Sequence, residues 1–430
     1  MGMNQSVRLG VLGCGNVGAA FINLVNERAA VIAARTGITL IIERVAVRDM
    51  SQARDVSLPA TCFTTNTADV VQDPCVDVVV ELMGGVDPAR QLIIDALGKG
   101  KPVITANKAL LAACGAELYG AADASGVDLL FEAAVAGGIP FIRPLRESLR
   151  GEPIRRVMGI VNGTTNFILT KMTEEGADYG EVLAEAQRLG YAEADPTADV
   201  EGFDAAAKCA IIASIAFGVN VTGSDVYREG ITSVTAADIA VAKRLGYVVK
   251  LLAIAELNET TNEVAVRVHP AMVPVTHPLA SVREAYNAVF VEGDAVGSLM
   301  FYGRGAGGEP TASAVLGDVI DAAVNLKKGT HAMLGAFTKP AFSNIDNTTS
   351  EYMLGLEVLD LPGVLHSITG VFANNGVSIR TAEQEGIGES ARLVFITHMA
   401  QEAAVQKCLR DFAQLNVVKR SGGFIRVVGQ

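Results

Sequence analysis

The composition of this 430-residue chain indicates a large folded protein and excludes several functional classes. Half of the residues are hydrophobic and 19% are charged, so the chain can bury sizeable cores and is not of disordered composition. The 35 Lys and Arg against 47 Asp and Glu give a net charge of −12, which argues against a nucleic-acid binder. We find neither a signal-peptide core nor a run of about 18 apolar residues, and we expect a cytoplasmic protein without membrane contact.

The six cysteines of the chain are scattered and contain no CxxC pair. Neither a disulfide framework nor a zinc site is therefore predicted. We interpret most of the cysteines as small buried hydrophobic residues.

The first segment alternates apolar strands with helices. In chain order, the predicted elements are the strand RLGVLG, a helix at 19–35, the strands ITLIIERVAVRD and VDVVVELMGG, the helix QLIIDALGKGK, and the strands PVITANK and VDLLFEAAVAGG. Continuous apolar strands separated by helices predict a parallel sheet that is covered on both faces. We therefore expect a Rossmann-type, doubly wound α/β domain over residues 1–136.

A mixed α+β domain is predicted over residues 137–307, because strands and helices there follow a different rhythm. Its elements include IRRVMGIVNGTTNFILTKM, read as strand, turn and helix, and the apolar helix GFDAAAKCAIIASIAFG. The helix at 308–332 could return to pack on the first domain. The Pro- and Asn-containing stretch within 333–349 predicts a linker. Residues 350–430 then run strand, helix, strand, strand, helix, strand, which is the ferredoxin-like order.

Gly13, Gly15 and Gly18 form a GxGxxG pattern that follows a predicted strand and opens a predicted helix. In that context the first glycine permits a tight turn, the second lets the backbone approach a pyrophosphate, and the third allows helix and strand to pack closely. The helix N-terminus offers N–H groups to the phosphates. The alternative interpretation is a glycine turn without a ligand.

The end of the second strand carries residues that bear on cofactor choice. Arg48 would tolerate the 2′-phosphate of NADP, whereas Asp49 could accept a hydrogen bond from the ribose of NAD. Two solvated residues at a strand end remain the alternative.

Two lysines and several carboxylates are candidate catalytic or substrate-binding residues. Lys108 follows a strand at the edge where a doubly wound fold binds its ligand, although a surface lysine at a helix start is the alternative. Asp204 and Lys208 are four residues apart in an apolar helix, so their pairing is expected to be partly buried rather than a surface ion pair. Glu193 belongs to an acidic loop, one member of which could receive a substrate ammonium group. These residues indicate a nicotinamide-dependent oxidoreductase but no particular substrate.

The chain resembles bacterial homoserine dehydrogenases that end in an ACT domain. The motifs that carry the resemblance span nearly the whole chain: GCGNVG, ELMGG, TANKALL, FEAAVAGGIP, GIVNGTTNFIL, LGYAEADPTADVEGFDAAAK and FYGRGAGGEPTASAV. The resemblance implies the NADPH- or NADH-dependent reduction of L-aspartate 4-semialdehyde to L-homoserine, on the route to threonine, methionine and isoleucine.

The resemblance also implies roles for individual residues. Lys208 would donate the proton, with Lys108 taking part, and Asp204 and Glu193 would contact the substrate. The implied cofactor-binding residues are Gly13, Gly15, Asn16, Val17, Gly18, Arg48, Thr105, Lys108, Gly190 and Gly307. The implied ligands of a structural sodium ion, largely through backbone carbonyls, are Glu132, Val135, Gly137 and Ile139.

The C-terminal module carries the ACT signature LDLPGVLHSITGVFANNGVSI, in which Pro362 and Gly363 turn into the first helix. We expect feedback inhibition by threonine through this module, or alternatively a module that only dimerises. By analogy the chain would form a homodimer or homotetramer.

Two rival functions remain open from the residues. A nucleotide-gated sensor without chemistry would not require Lys208. An acylating aldehyde dehydrogenase would need an activated thiolate such as that of Cys209, for which no Cys–His signature is present.

Overall fold

The computed structural model describes residues 5–387 and 390–428, apart from the side chains of residues 387 and 421. The chain divides into two compact units. The first unit comprises the residues up to Val157, together with Ala207–Val226 and Asn287–Pro340. The second comprises Met158–Ala206, Tyr227–Tyr286 and the residues from Ala341 onward.

The helices and strands of the described residues are as follows. The first part contains β1 (Gln5–Leu12), α1 (Asn16–Thr36), β2 (Ile38–Ala46), β3 (Phe63–Thr64), α2 (Ala68–Val71), β4 (Val78–Glu81), α3 (Ala89–Gly98), β5 (Val103–Thr105), α4 (Lys108–Ser125), β6 (Leu129–Leu130), β7 (Ile154–Ile160), α5 (Gly163–Glu175), α6 (Tyr179–Arg188), α7 (Thr197–Val200) and α8 (Phe203–Phe217). The remainder contains β8 (Tyr227–Arg228), α9 (Ala236–Arg244), β9 (Tyr247–Asn258), β10 (Glu263–Pro274), β11 (Tyr286–Gly293), β12 (Gly297–Arg304), α10 (Gly308–Lys328), β13 (Ala341–Phe342), β14 (Thr349–Leu359), α11 (Val364–Asn374), β15 (Ile379–Ile387), β16 (Ser390–Thr397), β17 (Ala400–Gln401), α12 (Glu402–Phe412) and β18 (Val418–Val427).

A parallel sheet forms the centre of the first unit. Over the described residues its strand order is β3-β2-β1-β4-β5-β6. Every residue of β4 and of β5 is buried, as expected of strands covered on both faces. The order reverses between β1 and β4, and ligands of such sheets bind at the carboxyl ends of the strands beside that reversal. The doubly wound fold predicted from the sequence is thus confirmed.

Helices α1 and α10 pack on this sheet and close its core. Phe21 and Val25 of α1 join Val315 and Val319 of α10 in one hydrophobic cluster with the strands. Helix α1 is long and apolar enough to cross a membrane by length and composition alone, but core helices pass the same test. In this structure Phe21, Ile22 and Val25 of α1 are buried in the hydrophobic core of the first unit, so α1 packs as a core helix.

The second unit is built around an antiparallel pair, β9 and β10, whose register runs from Glu263 opposite Asn258 to Pro274 opposite Tyr247. Strand β18 adds parallel to the end of β10, with Ala271 opposite Arg426. The C-terminal strand is therefore hydrogen-bonded to the sheet of the preceding region.

The C-terminal module has the predicted order of strand, helix, strand, strand, helix, strand. Its sheet has the order β18-β14-β16-β15, with antiparallel neighbours throughout. Helices α11 and α12 cover the sheet, and Phe372, Phe395 and Phe412 meet in its core at ring distances of 5.1 Å. The ferredoxin-like arrangement is confirmed.

The predicted linker is partly held by hydrogen bonds. In the first unit, Asp123 accepts the backbone N–H groups of Leu334 and Gly335 at 3.2 and 3.0 Å. In the second unit, β13 (Ala341–Phe342) pairs with the start of β10. The segment is therefore hydrogen-bonded near its start and again at its middle.

Candidate active site

The glycine loop lies between the end of β1 and the start of α1. Gly13 has a φ of +100°, and a Cβ there would lie 2.8 Å from the carbonyl oxygen of Leu82. A Cβ at Gly18 would overlap the carbonyl oxygen of Gly13. Gly15 caps α1, and a Cβ on it would meet no heavy atom within 4 Å. The first and third glycines are thus required by close packing, whereas the second leaves the backbone open to a ligand.

A cavity of 720 Å³ opens beside this loop. Arg54, in the segment after β2, contributes to its wall and donates to the backbone oxygens of Asp49 and Gln52, each at 2.7 Å. Arg48 is exposed at the strand end and lies outside this wall. Arg54 was not singled out from the sequence, because it follows the strand end by several residues and only the folded segment brings it to the cavity wall.

A second cavity, of 300 Å³, lies in the first unit just beyond the carboxyl ends of β4 and β5. Lys108 and Lys208 both line it, together with Val17 and Gly137. Residues far apart in the sequence therefore meet at the sheet edge where the parallel fold places a ligand.

Asp204 and Lys208 lie one helical turn apart on α8, and each is only 8% exposed. Within the second unit, Asn162 donates from Nδ2 to Asp204 Oδ2 at 2.9 Å and to Asp199 Oδ1 at 2.6 Å. Asn162 is also the N-cap of α5, where its side chain accepts from Thr165. Asn162 was not singled out from the sequence, although an Asn-Gly pair at a helix start is a usable cap signal.

The acidic loop between α6 and α7 is exposed. Glu193 lies in it, and its backbone oxygen accepts from Gln187 Nε2 at 3.1 Å. Gly190 follows α6 with a φ of +78°. The substrate contact of Glu193 and the cofactor contact of Gly190 stay predictions.

Thr105 and Gly307 take different positions in the first unit. Thr105 is fully buried, and its hydroxyl donates to Glu81 at 2.6 Å while accepting from the Asn107 N–H at 3.0 Å. A cofactor contact of Thr105 would therefore come from its backbone. Gly307 caps α10, and a Cβ on Gly308 would lie 3.5 Å from the backbone oxygen of Asn16. The N-termini of α1 and α10 are thus adjacent.

The loop that the resemblance assigns to sodium turns sharply after β6. Glu132 starts a short 3₁₀ turn, Ala136 has a φ of +54°, and Gly137 lies too close to the backbone of Gly305 to carry a side chain. Within this loop, the carbonyl oxygens of Phe131 and Ala136 accept the backbone N–H groups of Ala134 and Ile139 at 3.0 and 2.8 Å. The sodium contacts of Glu132, Val135, Gly137 and Ile139 stay predictions.

The side chain of Glu132 is occupied within the protein. Its carboxylate accepts the backbone N–H groups of Phe141, Ile142 and Arg143 at 2.5–2.7 Å. Its own N–H donates to Asp318 at 2.8 Å. Burial, and secondarily the charge of Glu132, raises the pKa of Asp318 to about 7. A cation held by Glu132 would accordingly be held by its backbone oxygen.

The structure gives little support for a nucleophilic cysteine or for a metal site formed by side chains. Among residues 5–387 and 390–428, no three His, Cys, Asp or Glu side chains are grouped to hold a metal. Cys209 is buried at 1% exposure, and burial raises the pKa of the Cys14 thiol beside the glycine loop. A nucleophilic cysteine needs both access and a lowered pKa.

Comparison with known proteins identifies the family. Residues 13–132 match the NAD-binding domain of homoserine dehydrogenase, residues 140–320 match homoserine dehydrogenase, and residues 352–416 match the ACT domain. A homoserine dehydrogenase of Corynebacterium glutamicum is 48% identical over 99% of this chain and 96% of its own length. The chain belongs to the homoserine dehydrogenase family.

Solved structures agree with this assignment. A homoserine dehydrogenase from Thiobacillus denitrificans superposes with a TM-score of 0.93 at 41% identity, over 99% of this chain and 98% of that chain. A hyperthermophilic archaeal homoserine dehydrogenase in complex with NADPH has a TM-score of 0.63 at 27% identity, over 74% of this chain and 98% of that chain. As a homoserine dehydrogenase, this chain is an NAD(P)-dependent oxidoreductase that interconverts L-aspartate 4-semialdehyde and L-homoserine. Both rival functions are set aside.

Proposed function

We propose that Lys208 donates the proton to the carbonyl oxygen of L-aspartate 4-semialdehyde, and that Lys108 shares in this proton transfer or neutralises the substrate carboxylate. The observation that supports this most is that Lys108 and Lys208 line the same 300 Å³ cavity at the edge of the parallel sheet. The bound nicotinamide supplies the hydride. A fixed ammonium group that is shielded from water, as that of the 8%-exposed Lys208 is, stabilises negative charge that develops on oxygen far better than water does.

The carboxylates complete the proposed site. Asp204 lies one helical turn before Lys208, is buried, and is oriented by Asn162, so it would position the lysine and contact the substrate. Glu193 would pair with the α-ammonium group. In the reverse direction, Lys208 would take the proton from the hydroxyl of homoserine.

The proposed cofactor site uses the glycine loop, with Gly13, Gly15, Asn16, Val17 and Gly18, and the neighbouring Gly307. We propose that the chain accepts NADP or NAD. Arg28 and Arg54 both line the 720 Å³ cavity, whereas Arg48 lies outside it, and we assign the contact with a 2′-phosphate to Arg54 because it follows β2. Initial rates with homoserine and each dinucleotide, followed at 340 nm, compare the two cofactors directly.

A structural sodium ion, threonine inhibition and self-association belong to the same proposal. The backbone oxygens of Glu132, Val135, Gly137 and Ile139 would hold the ion. Threonine would act through the ACT domain, and initial rates with added L-threonine, with D-threonine as control, test that part. We propose a cytoplasmic homodimer or homotetramer without nucleic-acid or membrane partners.

The decisive experiment replaces Lys208 with Ala. The rate of hydride transfer in single-turnover measurements should fall by about 10²–10⁴-fold, the usual contribution of a positioned general acid. Lys328→Ala, at an exposed lysine in the last turn of α10, is the matched control. Near wild-type hydride transfer in a folded Lys208→Ala protein would remove Lys208 from this role.

A further inference from the structure

Glu81 is a fully buried carboxylate in the middle of the parallel sheet. It is the last residue of β4, opposite Leu12 of β1 and Thr105 of β5. A carboxylate is costly to bury unless hydrogen bonds replace its water. Its presence between two central strands therefore calls for a specific arrangement of donors.

Neutral donors surround this carboxylate. Oε1 accepts the backbone N–H groups of Met83 at 2.8 Å and Gly84 at 3.2 Å. Oε2 accepts the hydroxyl of Thr105 at 2.6 Å. The carboxylate thus fixes the loop that leaves its own strand and also binds the last residue of the next strand.

Thr105 links Glu81 to the residues at the start of α4 through hydrogen bonds. Its Oγ1 accepts the N–H of Asn107 at 3.0 Å. Asn107 donates from Nδ2 to the carbonyl of Gly85 at 2.6 Å and caps α4 by accepting from Leu110 at 3.1 Å. Lys108 is the first residue of that helix. The hydrogen bonds therefore join the loop after β4 and the loop after β5 into one network.

Both loops form the wall of the 300 Å³ cavity. Leu82, Met83 and Gly84 line it from the first loop, and Ala106, Asn107 and Lys108 line it from the second. We propose that Glu81 is a positioning residue for the reaction: its carboxylate holds the two loops so that Lys108 and the cavity wall keep one arrangement. This inference rests on the proposed role of the cavity and adds a residue that does not itself line it.

The ionised form of Glu81 is the one that suits these donors. A glutamine has the same shape, but its NH₂ group would face either the N–H groups of the first loop or the hydroxyl of Thr105. The first arrangement sets donor against donor, and the second forces the threonine hydroxyl to reorient while it still accepts from Asn107. Glu81→Gln therefore loosens the network without changing the packed volume.

The test compares Glu81→Gln with Glu117→Gln by steady-state kinetics of the full-length enzyme. Glu117 lies on the same helix α4 and forms an exposed ion pair with Arg90, so its variant controls for the loss of one carboxylate. Glu81→Gln should lower kcat by about 10- to 100-fold, because small misplacements of positioning groups have effects of this size. The KM for the dinucleotide should change by less than about threefold, since the hydrogen bonds that Glu81 accepts come from Met83, Gly84 and Thr105 and not from the glycine loop. A kcat per folded protein equal to that of Glu117→Gln would overturn the proposal.

Variants of Thr105 show whether the network acts as a unit. Thr105→Val keeps the shape and removes the hydroxyl, and it should lower kcat as Glu81→Gln does, whereas Thr105→Ser should lie closer to the wild type. The double variant Glu81→Gln/Thr105→Val should be no worse than the poorer single variant, because members of one network are not additive. Multiplying losses would contradict a shared network.

Lys108→Ala separates this inference from the proposed role of the lysine. Loss of kcat in Glu81→Gln but not in Lys108→Ala would refute the role of Lys108 and leave loop positioning supported. Loss in Lys108→Ala but not in Glu81→Gln would overturn the positioning role alone.

Discussion

In the first unit, Glu81 and Glu132 are buried carboxylates that accept hydrogen bonds from neutral donors, whereas in the second unit Glu402 is buried against the guanidinium of Arg426. The neutral donors are mostly backbone N–H groups of loops, so each carboxylate sets the shape of a loop. The guanidinium belongs to a strand, so the ion pair attaches one strand to its neighbours. The same chemical group thus orders a cavity wall in one region and fastens a sheet in the other.

The charged cluster centres on Arg426 of β18, which is 2% exposed. It donates to both oxygens of Glu402 at 2.7–2.9 Å and to both oxygens of Glu229 at 2.8–2.9 Å. Burial opposes the ionised form of Glu229, but its bonds to Arg426 prevail and lower the pKa of its carboxyl group. Since Arg426 also lies opposite Ala271 of β10, the cluster lies where the C-terminal strand joins that sheet.

The largest expected effect comes from Arg426→Met. Removing the cation leaves Glu402 and Glu229 without the guanidinium that both of them bind, and breaking a buried pair in this way costs about 3–5 kcal/mol. The free energy of unfolding, measured with urea, should fall by that amount. Arg420→Met is the matched control, because Arg420 lies on the same strand and its bond to Glu357 is exposed.

The control should change the free energy of unfolding by less than about 0.5 kcal/mol. Equal losses in the two variants would mean that burial of the cluster contributes nothing, and the contrast between the two regions would not hold.

A smaller effect is expected from Glu132→Gln in the first unit. The carboxylate accepts three backbone N–H groups, and an amide would turn its NH₂ toward at least one of them. An unsatisfied buried donor costs about 1–3 kcal/mol. Urea unfolding should show a loss in this range, below that of Arg426→Met.

The control for this variant is Glu147→Gln, since the Glu147 side chain is half-exposed and binds only its neighbour Arg146 among the contacts described here. If Glu132→Gln destabilised the protein more than Arg426→Met does, neutral donors would matter more than charge pairing, and the ranking of the two regions would be reversed.

The sequence could predict what depends on local pattern and could not predict what depends on distant partners. The glycine loop, the parallel sheet and the ferredoxin-like module follow from periodicity and glycine spacing, and the structure has them. The partners of Glu81 and Asn162 lie 24 and 42 residues away, at Thr105 and Asp204. No local rule assigns such pairs, so these positioning residues emerged only from the fold.

The predicted strand VDLLFEAAVAGG shows the same limit. The apolar run predicts a long strand, yet β6 ends at Leu130 and a 3₁₀ turn follows at Glu132. Glu132 accepts from backbone groups some ten residues downstream, and this contact turns the chain away from the sheet. Tertiary hydrogen bonds override strand propensity here.

The smallest predicted effect concerns His269 of β10, which is 2% exposed. Burial, assisted by the positive charges of Arg426 and Arg267, lowers its pKa well below the ordinary value of 6.5. The unfolded chain therefore binds a proton below pH 6.5 that the folded chain does not, and stability must fall as the pH falls through this range. The limiting slope for one group is about 1.4 kcal/mol per pH unit, and above pH 6.5 His269 contributes no slope.

His269→Gln should remove this slope, as measured by urea unfolding at several pH values between 5 and 7.5. His366→Gln, at an exposed position of α11, controls for the loss of a histidine that water hydrates in both states. Because Arg426 supplies part of the charge that keeps His269 neutral, Arg426→Met should also flatten the slope. An unchanged slope in His269→Gln would show that acid sensitivity arises elsewhere, and an unchanged slope in Arg426→Met alone would show that burial suffices to keep the imidazole neutral.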